Sequence, residues 1–259
     1  MLKVLTWLWS QPNGRVIYTA AHVNVWAEIV ASRLSIPHRL ACVTDTPEGL
    51  APHIEVIPPP GLFEDYSSAR WPEPMGYPQC WRRLALFAPH AADLFGAERI
   101  VSMDIDVIGG DLPLDPLFDR PEDIVLFHAP SRQARPYNGS MVMLTAGARP
   151  TVFTGLTLDG ARTASQRFTG SDQAWISFVL GPREATWGPR EGVLFYDQRQ
   201  HGYLSHARPV PPPGMRLMFF PGRPKPWTMA ELDCAKEWRR LTAPDAVFPD
   251  LRAPPMEAV

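Results

Sequence analysis

At its amino-terminal end the chain sets down an apolar run, a helical period and a second apolar run. That order constrains the fold more than any other feature. Lys3 to Trp9 reads as a buried strand, stopped by the turn residues Gln11-Pro12-Asn13-Gly14. Val23, Trp26, Ala27, Val30 and Leu34 then recur at the spacing of one helix face. Pro37 restarts the chain, and His38 to Val43 reads as a second strand. Strand, helix and strand in so short a span form a crossover between two parallel strands. The expected class is α/β, with a mostly parallel central sheet flanked by helices.

Further apolar segments extend that sheet. Ile54 to Ile57, Arg99 to Met103, Ile124 to Phe127, Ser140 to Leu144 and Met215 to Phe220 read as strands. Helices are expected over Gln79 to Phe87, Ser171 to Leu180 and Met229 to Leu241. The 30 Pro limit regular structure and predict stiff surface loops. Pro58-Pro59-Pro60 opens one such loop, which runs through Gly76 without periodicity; long loops of this kind inside a compact domain are usually functional.

Composition excludes several classes. A chain of 259 residues, 45% of them hydrophobic, buries a core without disulfide staples. Lys+Arg 25 against Asp+Glu 27 excludes a strongly cationic nucleic-acid coat. The 9 Trp predict an aromatic-lined cleft, with most of the rings in the core. Cys42, Cys80 and Cys234 lie far apart, without metal-ligand spacing, and fit a reducing compartment. No run reaches the ~18 apolar residues of a membrane span. Met1 to Trp9 is too short for a secretory leader, so a cytoplasmic protein is expected.

Four segments and an arginine pair could carry chemistry. In the first segment, the apolar strand Arg99 to Met103 delivers Asp104 and Asp106 to its carboxyl end, where open α/β sheets bind ligands. Two carboxylates one residue apart can share a hard cation, Mg²⁺ or Mn²⁺, and leave positions open for phosphate oxygens. The alternative is a solvated acidic turn. In Phe219 to Trp227, Gly222 permits close approach of a ligand, and Lys225 offers a point charge suited to phosphate; otherwise this is a basic turn. Asn138 offers a donor and an acceptor to a sugar hydroxyl, or else begins a turn before a strand. Asp172 and Gln173 fall in the first turn of a helix capped by Ser171 or Thr169, where plain capping chemistry is the alternative. Arg82 and Arg83 sit on a helix whose buried positions are Cys80, Leu84 and Phe87. Arg83 lies toward that buried side, so a ligand phosphate or Asp104 is its expected partner.

Taken in order, these pieces resemble glycosyltransferases of the GT-A fold, most closely family 8, which includes glycogenin and bacterial galactosyltransferases. Trp81-Arg82-Arg83-Leu84 resembles the helix that meets the sugar donor, and Asp104-Ile105-Asp106 the metal-binding Asp-x-Asp. Asn138 to Met143 resembles the strand beside the donor sugar, and Asp172-Gln173 the pair near the acceptor. Gly222 to Trp227 matches the closing Gly-x-x-Lys-Pro-Trp. The likeness runs from about residue 3 to residue 227.

The resemblance implies one domain over 1–259. Residues 1–110 would form a Rossmann-like nucleotide-sugar half and 111–227 the acceptor and donor-sugar half, followed by a carboxyl-terminal helix and tail at 228–259. It implies metal-dependent sugar transfer from a nucleotide-sugar donor, UDP-linked, with retention at the anomeric carbon. Thr6, Trp7, Arg83, Asp104, Gly222 and Lys225 are then expected at the donor, and Asp104 and Asp106 at a Mn²⁺ or Mg²⁺ ion. Asn138, Asp172, Gln173 and Lys225 are expected in catalysis. One departure matters: the family's third metal ligand, a His three residues before the Gly, is Phe219 here. His201 or His206 would have to substitute.

In a retaining route Asn138, Asp172 and Gln173 position donor sugar and acceptor; in an inverting route Asp172 is the first carboxylate to test as base. Two rivals remain. A nucleotidyltransferase would carry a Gly-rich basic loop after the first strand, and Trp7-Leu8-Trp9-Ser10-Gln11-Pro12 has none. A catalytically degenerate protein that binds nucleotide sugar is favoured by Phe219. The acceptor stays open among glycan, lipid-linked sugar, protein and modified nucleic acid, with Lys and Arg outnumbering acids over 199–240.

Overall fold

A computed structural model describes residues 1–9, 17–61, 80–128, 135–168, 170–196, 210–222 and 224–241. Strand β1 (Leu2–Leu8) is buried at every position, as a strand covered on both faces should be. Helix α1 (Ala20–Ala31) carries the chain over to β2 (His38–Thr44), which lies parallel to β1, and β3 (Ile54–Ile57) adds outside β2. After the short α2 (Ala91–Phe95), β4 (Arg99–Met103) returns to the other side of β1, again parallel. Next come β5 (Val107–Gly109), α3 (Asp115–Phe118), β6 (Ile124–Phe127) and β7 (Asn138–Thr145). Helices α4 (Thr151–Thr154), α5 (Leu158–Phe168) and α6 (Asp172–Leu180) precede β8 (Ala185–Trp187), β9 (Val193–Phe195) and β10 (Leu217–Phe219).

Among the described residues the central sheet has seven strands in the order β3-β2-β1-β4-β7-β6-β8. Strand β7 runs antiparallel to both its neighbours and the other pairings are parallel, so the mostly parallel expectation holds. A second sheet, β5-β10-β9, is built from three short strands.

Alternation along β1 divides the core in two. Leu2, Val4 and Leu8 face the cluster holding Trp26 and Val30 of α1, while Leu5 and Trp7 face the cluster holding Trp81, Phe87 and Trp175. Lys3 breaks the apolar run and is 2% exposed. It is satisfied by Glu55 Oε1 of β3 at 2.7 Å, as a buried charge requires.

Two segments differ from the helices that the sequence suggests. Residues Trp81–Phe87 form a 3-10 helix, and Trp81, Leu84 and Phe87, spaced by three, stack along its buried side. Ala88, before Pro89, is extended and ends it. The carboxyl-terminal segment forms 3-10 turns at Pro226–Met229 and Asp233–Arg240, with a non-helical Ala235 in the second. Its buried residues Leu232, Ala235 and Trp238 again recur every three positions, and Trp238 Nε1 donates to Val107 O at 2.9 Å. Asn138-Gly139, for which a turn before the strand was the alternative, opens strand β7 itself. No helix among the described residues is long and apolar enough to cross a membrane.

The order of strands fixes where a ligand would sit. From β1 the chain goes to β2 and β3 on one side, then returns to place β4 on the other. That reversal opens a crevice outside the carboxyl ends of β1 and β4.

Candidate active site

Asp104 and Asp106 emerge at that reversal. Strand β4 ends at Met103 and β5, which belongs to the second sheet, begins at Val107, so the Asp-x-Asp spans the passage between sheets. Both ends are pinned by backbone. Asp104 N–H donates to Ser140 O of β7 at 2.8 Å, and Phe220 N–H donates to Asp106 O at 2.9 Å. The carboxylates therefore project from a fixed turn rather than a solvated loop.

One arm of the site runs through Arg83. Its Nη1 binds Asp104 Oδ1, and its Nε and Nη2 both reach Asp172 Oδ2 at 2.8 Å. Burial works against the Arg83 charge, yet the carboxylates of Asp172 and Asp104 hold its pKa well above the usual arginine range. Gly139 of β7 makes room: a Cβ there would lie 2.5 Å from Arg83 Nη2 and 3.1 Å from Asp172 Oδ2. Asp172 opens α6, and the preceding Ser171 Oγ accepts the Cys80 N–H at 3.0 Å, tying the two elements together. Cys80 itself stays a thiol, since burial pushes its pKa up to about 12.

The other arm runs through Lys225. Its ammonium binds Asp106 Oδ2 and donates to Phe220 O at 2.9 Å. Tyr18, just before α1, donates its hydroxyl to the same Asp106 Oδ2 at 2.9 Å, and its ring centroid lies 5.7 Å from Lys225 Nζ. Burial lifts the Asp106 carboxyl above its ordinary range, against the pull of Lys225. Burial also raises Tyr18, with the Asp106 charge adding to the effect. Trp227 packs under this group, 4.6 Å from His22 and 5.3 Å from Trp238 between ring centroids.

The remaining expected site residues divide. Asn138 and Gln173 lie beside the Arg83 arm: Asn138 Oδ1 accepts the Ser140 N–H at 2.8 Å, and Gln173 Oε1 accepts the Gly139 N–H at 3.4 Å. At Gly222 no atom of the described residues lies within 4 Å of where a Cβ would stand. Thr6 and Trp7 turn their polar atoms inward instead. Thr6 Oγ1 donates to Met103 O and Trp7 Nε1 to Ser102 Oγ, both at 2.8 Å, which ties β1 to the end of β4. Their side chains brace the strand that carries Asp104. Tyr18 is the member that sequence reasoning missed; its only signal is a Tyr between the first turn and the first helix.

Among the described residues, a divalent cation finds oxygen ligands here but no nitrogen. Phe219 is fully buried in β10, 5.5 Å from the ring of Phe127, and so cannot ligate. No group of three His, Cys, Asp or Glu residues among those described could hold a metal ion. His201 and His206 lie outside the described residues. What is present is two carboxylates and the Phe220 carbonyl, with the Lys225 ammonium standing between Asp106 and that carbonyl as a stand-in cation. An all-oxygen set of this kind fits a hard ion completed by water and phosphate oxygens.

The fold has solved counterparts. The fold is similar to that of galactosyltransferase LgtC, solved with donor and acceptor sugar analogs, at 13% identity and a TM-score of 0.61, covering 96% of this chain and 98% of that one. The bifunctional glycosyltransferase WbbM is similar at 11% identity and a TM-score of 0.55, covering 92% of this chain and 49% of that one. The glycosyltransferase GlyE of Streptococcus pneumoniae TIGR4 gives 9% identity and a TM-score of 0.55, covering 96% and 66%. No family model matches the sequence, and no curated protein matches it. The chain has the GT-A-like fold of these glycosyltransferases.

Proposed function

We propose that the chain transfers a sugar from a nucleoside-diphosphate donor, a UDP-sugar by the resemblance, to an acceptor. The observation that carries this reading is the meeting of Asp104, Asp106, Asp172, Arg83 and Lys225 at the strand-order reversal of such a fold. The scattered cysteines support a reducing, cytoplasmic setting.

Departure of the nucleoside diphosphate builds negative charge on its leaving oxygens, and fixed positive groups lower that barrier. Lys225 supplies an ammonium on a flexible stem between two prolines. Asp104 and Asp106 would hold a divalent cation, which would supply a second positive charge to the departing diphosphate. Arg83, clamped by two carboxylates, presents its guanidinium in one orientation to a sugar hydroxyl or phosphate oxygen. Asp172 gives Oδ2 to that guanidinium, so it acts as a positioning residue. A retaining course, which needs no base at Asp172, follows more readily than an inverting one. The amides of Asn138 and Gln173 line the same wall and are suited to sugar hydroxyls.

A second reading, a degenerate protein that binds nucleotide sugar without turning it over, is favoured by Phe219 at the position of a ligand. One experiment separates them. The protein is incubated with a panel of nucleotide sugars and Mn²⁺, and the released nucleoside diphosphate is measured. Release that disappears in Asp106→Asn supports transfer chemistry. Calorimetric binding without release carries the degenerate reading, and neither binding nor release overturns both.

A further inference from the structure

Lys225 is held the way a metal ion would be. A carboxylate oxygen of Asp106 and the carbonyl oxygen of Phe220 take its ammonium, and Tyr18 turns its ring toward it. Lys225 and Asp106 are 6% and 5% exposed, so the pair is shielded from water. Asp104 is different. It gives Oδ1 to Arg83, its Oδ2 has no hydrogen-bond partner among the described residues, and its side chain is 26% exposed. Each carboxylate thus carries an internal cation, Lys225 on the shielded Asp106 and Arg83 on one oxygen of the partly exposed Asp104.

We infer that Lys225 is a resident counter-cation which a divalent ion must displace from Asp106, and that the released ammonium then meets the donor diphosphate. Two cations on one carboxylate oxygen repel each other strongly in a shielded site. Only the fraction of molecules with Lys225 swung away is competent for the ion, and the apparent metal affinity falls by that fraction. A displaced ammonium in turn needs a new anion, and a diphosphate provides one. Metal and diphosphate therefore bind as a coupled pair, each weakly alone. The metal half of this inference concerns the protein and the ion only; the diphosphate half rests on the function proposed above.

The chain offers a test with built-in references, because its lysines are Lys3, Lys225 and Lys236. Lys3 is buried in β1 and Lys236 is exposed. Reductive methylation of the wild-type protein is followed by mass spectrometry, without metal, with saturating Mn²⁺, and with Mn²⁺ plus UDP. Lys225 should react slowly without metal, about tenfold faster with Mn²⁺, and slowly again when UDP is added, while Lys3 and Lys236 stay constant. In parallel, electron paramagnetic resonance of free Mn²⁺ should show Lys225→Gln binding the ion alone about tenfold more tightly than wild type. Methylation of Lys225 that ignores Mn²⁺ overturns the exchange, and so does a folded Lys225→Gln that binds Mn²⁺ no more tightly. Should that variant not fold, the wild-type methylation decides. Release by Mn²⁺ without protection by UDP upholds the exchange and overturns the diphosphate half.

Discussion

Replacing Arg83 with Met removes the cation that two carboxylates share while keeping an apolar stem in its place. Asp172, whose side chain is 5% exposed, is then left buried without its charge partner. Asp104, at 26%, can take up water and loses little. Breaking a buried pair by deleting one partner costs about 3–5 kcal/mol, and we expect the lower end because Ser171 Oγ remains 3.3 Å from Asp172 Oδ1. Urea melts of wild type and Arg83→Met, followed by circular dichroism at neutral pH, measure the deficit. A deficit below about 1 kcal/mol would refute this account of the network.

Three further outcomes are expected. Gly139→Ala places a Cβ 2.5 Å from Arg83 Nη2, which forces the guanidinium back by roughly 1 Å; donor turnover should fall about 10²-fold, and a wild-type rate in a hydrolysis assay would contradict this. Lys225→Ala should lower turnover by about 10²–10³, because the charge it meets grows as the bond breaks; a raised Michaelis constant with normal turnover would make it a binding residue only. Trp238→Phe removes the donor to Val107 O, 2.9 Å away at the start of β5, and should cost about 1–3 kcal/mol in chemical denaturation; an unchanged midpoint would show that the bond contributes nothing.

Much of the fold was written locally. Apolar runs of strand length carry their own period, which is why β3, β4 and β6 fall where the sequence places them, and why α1 starts and ends only three residues earlier than its apolar face. The position of Asp104 and Asp106 at a strand's carboxyl end is local in the same sense. Strands β5, β8 and β9 hold three residues each, too few for any pattern to show. Over seven residues a period of 3.0 and one of 3.6 differ little, so packing of Trp81, Leu84 and Phe87 decided the 3-10 form. The site depended most on tertiary structure. Lys225 is 119 residues from Asp106 and Tyr18 is 88, and Thr6, which the resemblance assigned to the donor, turns its hydroxyl to a neighbouring strand. A residue's type and strand position are properties of its own segment. Which charge it meets is set by the order in which β1, β4 and β7 lie side by side and by the second sheet that brings β10 to β5, and no local stretch of sequence contains that order.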